Sequence, residues 1–295
     1  MATESTDNQP WTIQRLLTWT EQFLRSKQIE SPRLEAQLLL AHVLRVPKIQ
    51  LYVRSAEIPS EADRTTFRTL LKRRVEGMPV EYLIGVREFF LLPFRVTPAV
   101  LIPRPDTEVL VLEGLKRIRP LSAPRVLDLG TGSGAIAVVI AKQHAQARVT
   151  AVDISPEALE VAAGNAESNG VADRVQFLQG DLLAPVARDA RFDLIVSNPP
   201  YIAHDEFPGL DREVRDFEPR LALDGGVDGL DFYRRLAVET IPFLAANGAL
   251  MVEIGYTQDV LVRTILEHQG WQVEQTFSDG AGHPRVIAAS RLQTA

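Results

Sequence analysis

A glycine-rich segment, DLGTGSG at residues 128–134, stands between a predicted strand and a predicted helix. Because glycine has no side chain, a ligand can approach the backbone closely, and the free N–H groups of a helix N-terminus suit polar or anionic groups. The spacing is neither that of dinucleotide sites nor that of a P-loop, and a tight turn without a ligand also explains the glycines. The candidate cofactor-binding residues here are Gly130, Thr131, Gly132, Ser133 and Gly134.

Two aspartates follow the next two predicted strands. Asp153 lies about 20 residues after the glycines, where an acidic side chain typically accepts hydrogen bonds from ribose hydroxyls. Asp181 is placed to receive an adenine amino group. Taken singly, Asp153 could be a helix N-cap and Asp181 an ordinary loop residue. Because the carboxyl ends of parallel strands meet at one edge of a sheet, the three segments together predict a site for an adenosine-containing cofactor.

The fourth predicted strand runs directly into Asn198, Pro199, Pro200 and Tyr201. Two consecutive prolines remove two backbone donors and restrict the backbone, so this is an unusual end for a buried strand. A polyproline turn with a purely structural role remains the alternative. The position at the same sheet edge as the glycines makes these four residues candidates for the reacting site.

These segments require an alternating α/β fold to bring them together. Strands are predicted at residues 125–129, 149–153, 174–178, 192–197 and 247–253, with a final pair near 271–277 and 285–290. Helical segments separate the strands, which is typical of a parallel sheet with helices on both faces.

The residues ahead of this region show a different pattern. Apolar residues recur at helical spacing from residue 11 to about 85, which predicts a bundle of four or five short helices, with Ser31 and Ser60 at helix starts. The segment VREFFLLPFRVTPAVLIPRP then combines aromatic and β-branched residues with prolines, which indicates a strand pair and a loop. We therefore expect a helical domain at 1–85, a β-hairpin linker at 86–104 and a catalytic domain at 105–295.

Composition and charge restrict the function classes. The 295 residues carry a formal net charge of −6, which disfavours an enzyme that grips long nucleic acid. The helical region holds 12 Lys and Arg against 10 Asp and Glu, and its cluster RTLLKRR (Arg68, Lys72, Arg73, Arg74) is either a contact surface or a solvated helix face. Cysteine is absent, which excludes disulfides and thiolate metal sites, and the histidines lack metal-ligand spacing.

The motifs DLGTGSG, AVDIS, GDLL and NPPY together resemble a class I S-adenosylmethionine-dependent methyltransferase that modifies planar amino groups. LIPRPDTE at 101–108, FEPRLALDGGVDGLDFYRRL, GALMVEIGY and DGAGHPRVIAAS extend the resemblance over nearly the whole chain, to the HemK/PrmC family. The resemblance implies a Rossmann-like domain with a seven-stranded, mostly parallel sheet and a small N-terminal helical bundle.

The resemblance also implies an activity. Family members transfer a methyl group from S-adenosyl-L-methionine, leaving S-adenosyl-L-homocysteine, to the side-chain amide nitrogen of the glutamine in the Gly-Gly-Gln loop of class 1 peptide-chain release factors. An amide nitrogen is a weak nucleophile, and the Asn198 side-chain oxygen and the Pro199 carbonyl would accept its two N–H groups. Tyr201 would pack against the flat amide. Asp153, Asp181, Leu182 and Asn198 would contact or adjoin the cofactor, with Leu182 apolar where some relatives carry an aromatic residue.

Several roles stay open at this level. Arg104, Asp106 and Glu108 belong either to the substrate mouth or to the start of the next helix. The loop LDGGVDG, with Gly225, Gly226 and Gly229, is either a mobile lid or an ordinary glycine turn. The alternatives to glutamine methylation are an adenine or guanine amino methyltransferase of nucleic acid and a binding module that retains S-adenosylmethionine. We expect a monomer without a metal. We also expect a cytoplasmic protein, since neither a signal peptide nor a membrane-spanning run is evident.

Overall fold

The computed structural model describes residues 9–291 and divides the chain into two compact units, Met1–Gly85 and Val86–Ala295. The first unit has a helical core and the second an α/β core. Each unit therefore buries its own apolar side chains, as separate domains do. No helix among the described residues is long and apolar enough to cross a membrane.

The described part of the first unit consists of five helices. They are α1 (Ile13–Ser26), α2 (Pro32–Leu44), α3 (Lys48–Val53), α4 (Glu61–Val75) and α5 (Val80–Ile84). The Ser60 hydroxyl accepts the backbone N–H of Asp63 and so caps α4 as the sequence predicts. Ser31 stands at the expected N-cap of α2 without a side-chain capping bond, and Pro32 supplies the fixed φ angle that starts this helix.

Three of the four cations in the basic cluster of α4 form ion pairs, and one of the three is buried. Arg74 is buried, with a side chain only 2% exposed, and its Nη2 donates to Glu35 Oε1 of α2 at 3.0 Å. Arg68 and Lys72 form ion pairs with Glu61 and Glu76. Neighbouring residues of a helix point in different directions. Arg74 therefore points into the core, where Glu35 neutralises its charge.

The second unit begins with a hairpin of β1 (Val86–Phe89) and β2 (Leu92–Arg95). Its two-residue turn places Phe90 and Leu91 at positive φ angles of 50° and 61°, which is uncommon for residues other than glycine. Glu108 holds this turn, because its Oε1 accepts the backbone N–H of Phe90 at 2.9 Å.

A seven-stranded sheet forms the centre of the second unit, and this confirms the predicted fold class. The strands are β3 (Arg125–Leu129), β4 (Arg148–Asp153), β5 (Val175–Gln179), β6 (Phe192–Ser197), β7 (Leu244–Glu253), β8 (Trp271–Ser278) and β9 (Pro284–Arg291). Their order is β5-β4-β3-β6-β7-β9-β8, with the first five parallel and β9 antiparallel to both of its neighbours.

Helices cover both faces of this sheet. They are α6 (Thr107–Ile118), α7 (Ala135–Gln143), α8 (Pro156–Ser168), α10 (Asp231–Glu239) and α11 (Asp259–His268), whereas the short helix α9 (Arg212–Phe217) buries none of its side chains. Side chains alternate along each strand, so that Val126 packs with α6 and α7 on one face and Leu127 with α10 and α11 on the other. Both faces are buried, which explains the nearly continuous apolar runs in the strand sequences.

Candidate active site

The segments that follow β3, β4, β5 and β6 surround a cavity of about 330 Å³. They are adjacent because β4 and β6 flank β3 and β5 flanks β4, so all four carboxyl ends meet at one edge. The volume is in the range of small-molecule sites. The sequence-predicted residues that line it are Arg104, Gly130, Thr131, Gly132, Ser133, Asp153, Asp181, Leu182, Asn198 and Pro200.

The three glycines of the first segment differ in what they face. Gly130, Gly132 and Gly134 all have positive φ angles, of 72°, 54° and 78°. A Cβ atom at Gly130 or Gly132 would meet no atom within 4 Å, whereas one at Gly134 would lie 3.0 Å from the Cβ of Ala162 in α8. Gly130 and Gly132 thus leave room for a ligand, and Gly134, which does not line the cavity, permits close helix packing instead.

Asp153 fixes the glycine segment to the end of β4. Its Oδ2 accepts the backbone N–H of Gly132 at 2.8 Å and its Oδ1 accepts that of Ser155 at 3.0 Å. A carboxylate has about four acceptor positions, so both oxygens can still accept from a ligand. Ser155 caps α8, with its hydroxyl accepting the N–H of Ala158. The N-cap role is therefore Ser155's, and Asp153 remains available to the cavity.

Asp181 is engaged by a residue that the sequence did not single out. Its Oδ1 and Oδ2 accept from the two terminal nitrogens of Arg235 in α10, at 2.9 Å and 3.0 Å. Because a forked pair of this kind fixes the plane of the carboxylate, Arg235 sets the direction in which Asp181 can accept further hydrogen bonds.

Leu182 lines the same cavity and is buried. Its φ angle of 46° is rare for leucine, and such strained residues occur preferentially at functional sites. Phe232 of α10 lines this cavity as well. An aromatic side chain is thus present in the cavity, although it comes from a distant segment and not from the position after Asp181.

The turn formed by residues 198–201 borders a second cavity of about 190 Å³. Arg104, Asn198, Pro199 and Tyr201 line this second cavity, whereas Pro200 lines the first. Leu101, Arg104, Asn198 and Ala222 line both. Two adjoining cavities with Asn198 between them can hold two reactants side by side.

A residue of α6 orients the Asn198 side chain. Its Nδ2 donates to the hydroxyl oxygen of Thr107, the first residue of that helix, at 3.1 Å. Thr107 is buried. With the nitrogen engaged in this way, Oδ1 is the atom of the amide that remains as an acceptor for a ligand.

The backbone after the turn is held by Gln258, which is also buried. Its Nε2 donates to the carbonyl oxygens of Tyr201, at 3.0 Å, and Gly229, at 3.3 Å. Its Oε1 accepts the backbone N–H of Gly255 at 3.0 Å. One side chain thus connects the turn, the glycine loop and the end of β7.

The glycine loop packs directly on the turn. Gly225 N donates to Ile202 O at 2.9 Å, and Ile202 N donates to Leu223 O at 3.0 Å. A Cβ atom on Gly229 would lie 2.4 Å from the carbonyl oxygen of Tyr201. These contacts favour the glycine turn over a mobile lid, because opening the loop would break the bonds that support Tyr201.

The three charged residues of LIPRPDTE all form internal bonds. The guanidinium of Arg104 binds Glu218 and the carbonyl oxygen of Ile102, and Arg104 also lines both cavities. Asp106 pairs with Arg285 of β9 at 3.2 Å, and Glu108 holds the β1–β2 turn. These bonds favour the structural reading for Asp106 and Glu108, while Arg104 lies in the wall of the site.

Two buried carboxyl groups near the site lie in motifs of the sequence but were given no role there. Asp128 is fully buried at the end of β3, where its Oδ2 accepts from the Thr131 hydroxyl at 2.6 Å, and loss of hydration raises its pKa to about 7. Glu253 ends β7, and burial likewise raises its pKa to about 7. An acidic residue at or next to the end of an apolar strand is the sequence signal that marks both.

The titration of the site is dominated by these two groups. Burial raises the pKa of Tyr201 to about 12, so its phenol is neutral in the physiological range.

Among residues 9–291, no group of three or more His, Cys, Asp or Glu side chains is arranged to hold a metal ion.

Comparisons with known proteins identify related sequences and folds. Residues 15–85 match the family model of the PrmC N-terminal domain, and residues 106–211 match that of the methyltransferase small domain. A release factor glutamine methyltransferase of Rhodopirellula baltica is 44% identical over 293 residues, covering 98% of this chain and 99% of that relative.

A second relative and a solved structure extend the comparison. The release factor glutamine methyltransferase of Moorella thermoacetica is 46% identical over 266 residues, 90% of this chain and 93% of its own. The crystal structure of a methyltransferase from Pyrococcus furiosus is similar in fold, with a TM-score of 0.51, 21% identity, and coverage of 69% of this chain and 91% of that one.

Proposed function

This chain belongs to the release factor glutamine methyltransferase family, and we propose that it methylates the side-chain amide nitrogen of the glutamine in the Gly-Gly-Gln loop of class 1 peptide-chain release factors. The methyl donor is S-adenosylmethionine, and the product is S-adenosylhomocysteine. The observation that carries this proposal is the pair of adjoining cavities that share Asn198.

The larger cavity is the proposed cofactor site. Its open glycine positions, Gly130 and Gly132, suit close approach of a ligand, and the acceptors Asp153 and Asp181 suit ribose hydroxyls and an adenine amino group. Leu182 and Phe232 add apolar surface for a flat base. When bound, the cofactor supplies a methyl group activated by its sulfonium centre.

The smaller cavity is the proposed site of the glutamine amide. Asn198 Oδ1 and the Pro199 carbonyl would accept its two N–H groups, and Tyr201 would pack against its plane. Both acceptors favour positive charge on the nitrogen as it attacks the methyl carbon. The C–S bond breaks with its electron pair left on sulfur, and the methylated nitrogen releases one N–H proton to solvent. The protein's contribution is therefore alignment and electrostatic stabilisation. Tyr201 is a packing group and not a base, since its phenol keeps its proton.

The charge pairing on α4 supports a protein substrate over nucleic acid. The basic cluster of α4 is largely neutralised, with Arg74 buried against Glu35 and Arg68 paired with Glu61. Duplex or long single-stranded nucleic acid is bound mainly by neutralising phosphates. We further propose that the helical unit recognises the release factor, and that the enzyme acts as a monomer in the cytoplasm, where translation ends.

The deciding experiment uses methyl-labelled S-adenosylmethionine and a purified class 1 release factor. Label should enter the wild-type release factor and should be absent when the loop glutamine is replaced by alanine. Mass spectrometry of the loop peptide should place one methyl group on the glutamine side chain. Label that persists after the glutamine is replaced, or that enters added RNA or DNA, contradicts the proposal.

A further inference from the structure

A buried carboxyl group behind the Asn198 amide has no part in the reaction as described so far. Glu253 ends β7, the neighbour of β6, and the register that pairs Ser197 with Val252 places Glu253 beside Asn198. The residue is 1% exposed, and its Oε2 has no hydrogen-bond partner among the described residues. A buried, incompletely bonded carboxyl is costly, so its retention next to a reacting group calls for a function.

Glu253 lies close to Thr107 and Asn198, two side chains that also contact each other. The Thr107 hydroxyl and the Asn198 amide lie close enough to its carboxyl group for their polar hydrogens to favour its ionised form. Asn198 Nδ2 also donates to Thr107 Oγ1. An ionised carboxylate can only accept hydrogen bonds. The Thr107 hydroxyl therefore directs its proton towards Glu253, and its oxygen is left to accept from Asn198.

This arrangement decides which way the Asn198 amide points. Its NH2 group must face Thr107 and Glu253, because both present acceptors, and its oxygen must face the place where the two cavities meet. We propose that Glu253 and Thr107 are positioning residues that hold Asn198 Oδ1 towards the substrate amide, and that protonation of Glu253 releases this control. The inference rests on the proposed function, since it concerns the acceptor for the glutamine NH2 group.

The consequence of protonation follows from donor and acceptor counting. A protonated Glu253 can donate to the Thr107 oxygen, so the Thr107 hydroxyl becomes free to donate to Asn198 Oδ1. The amide then turns by half a rotation and presents its NH2 group to the substrate. Two NH2 groups cannot hydrogen bond to each other, so the glutamine amide loses an acceptor and its alignment.

Among Glu253 and the arginine and tyrosine side chains that face it, Glu253 is the group that titrates near neutral pH. Arg285 of β9 faces it and is bound to Asp106 and Asp279, at 3.2 Å and 3.1 Å. Tyr201 and Tyr233 also face it, and burial raises the pKa of both, so they remain neutral. Burial, with the charge of Asp106, raises the pKa of Glu253, while the positive charge of Arg285 and the polar hydrogens of Thr107 and Asn198 favour its ionised form.

The test measures kcat at saturating cofactor and release factor across about pH 6 to 9, with cofactor affinity measured by calorimetry at each pH. For a single group titrating near neutrality, wild-type kcat should fall about 10-fold from pH 8 to pH 6. Glu253→Gln should lower kcat at pH 8 about 10-fold or more and remove this pH dependence. Cofactor affinity should change less than about 2-fold in Glu253→Gln, because the carboxyl lines neither cavity.

Thr107 provides a second, independent arm. Thr107→Val removes the hydroxyl at nearly constant volume and should lower kcat about 10-fold, while Thr107→Ser should restore most of that loss. The matched control is Glu167→Gln, an exposed residue of α8, which should keep the wild-type kcat and pH profile.

The outcomes separate the two proposals. If wild-type protein methylates no release factor at any pH, the proposed function fails. If wild-type protein is active but its kcat is flat across this range, or if Glu253→Gln keeps the wild-type profile, the positioning role is refuted. A folding defect in Glu253→Gln would leave the wild-type profile and the Thr107 pair as the decisive measurements. Loss of kcat equal in Thr107→Val and Thr107→Ser also contradicts the inference, because packing alone would then explain it.

Discussion

Arg104 donates to Glu218, a residue 114 positions further along the chain. Glu218 is buried and its Oε2 also accepts the backbone N–H of Ile102, so one carboxylate fixes the segment that lines both cavities. The two sequence motifs LIPRPDTE and FEPRLAL are thereby joined at the wall of the site.

Replacing Glu218 by Gln should therefore loosen the shared wall. The variant loses a charge-assisted bond to Arg104, with an expected cost of about 1 to 3 kcal/mol in the free energy of unfolding. Because the loosened segment lines both cavities, KM for cofactor and for release factor should both rise. Steady-state kinetics with each substrate varied in turn would measure this. A change in only one of the two KM values would contradict the shared-wall role.

Asn198→Ala should retain cofactor affinity and lose most methyl transfer. The substitution removes one of the two proposed acceptors for the glutamine amide, which should lower kcat by about 10²-fold or more. Cofactor affinity by calorimetry and single-turnover methyl transfer would separate the two effects. Asn247→Ala, at an exposed position of β7, is the matched control and should behave as wild type. Wild-type turnover in Asn198→Ala would exclude the proposed role.

Gly229→Ala should damage the turn that contains Tyr201. The φ angle of Gly229 is 73°, and a Cβ atom there would overlap the carbonyl oxygen of Tyr201. We expect a loss of about 1 to 3 kcal/mol in the free energy of unfolding and a reduced kcat. Gly280→Ala is a suitable control, because a Cβ atom at Gly280 meets nothing within 4 Å. Equal behaviour of the two variants would show that the close approach at Gly229 has no consequence.

Stability and activity should change in opposite directions with pH. Burial raises the pKa of Asp128 and of Glu253 to about 7, well above the values expected in the unfolded chain. The folded state therefore binds more protons than the unfolded state between the two pKa values, and stability falls as pH rises. Each group should contribute a loss of about 1.4 kcal/mol between pH 6 and pH 8.

Chemical denaturation at several pH values would measure this slope. Asp128→Asn and Glu253→Gln should each reduce it by removing one titrating carboxyl group. Stability that rises over this pH range would contradict the assignment of these two groups as the dominant titrating carboxyls. The same window should show kcat rising, since the ionised Glu253 holds Asn198 in its productive orientation.

The buried pair Arg74–Glu35 should stabilise the helical unit. Arg74→Met leaves the carboxylate of Glu35 buried without its main cation, which typically costs about 3 to 5 kcal/mol. The double variant Arg74→Met with Glu35→Leu should recover much of this loss, because it removes both charges. Arg68→Met is the control at an exposed ion pair and should change stability by less than about 1 kcal/mol. Urea denaturation of the four proteins would test the order.

Periodicity in the sequence was sufficient to predict the main elements of the fold. Apolar residues at helical spacing marked α1, α2 and α4, and apolar runs ending in polar residues marked β3 to β6 within a few residues of their observed bounds. These signals are local, so they can be recognised without knowledge of the tertiary contacts. The same local character leaves the role of the cation cluster open, since the sequence shows that Arg74 follows Arg73 but not which of the two faces Glu35.

The sequence by itself determined the chemistry-bearing segments, because each combines a local backbone requirement with a particular side chain. The glycines, Asp153 and the turn from Asn198 to Tyr201 carry their signals within a few neighbouring residues. Only the tertiary structure decided which side chains orient them: Thr107 behind Asn198, Glu253 beside both, Arg235 on Asp181 and Glu218 on Arg104. These partners are brought together by strand order and helix packing. Hydrogen bonds between residues far apart in the chain leave no spacing pattern that a single sequence can show.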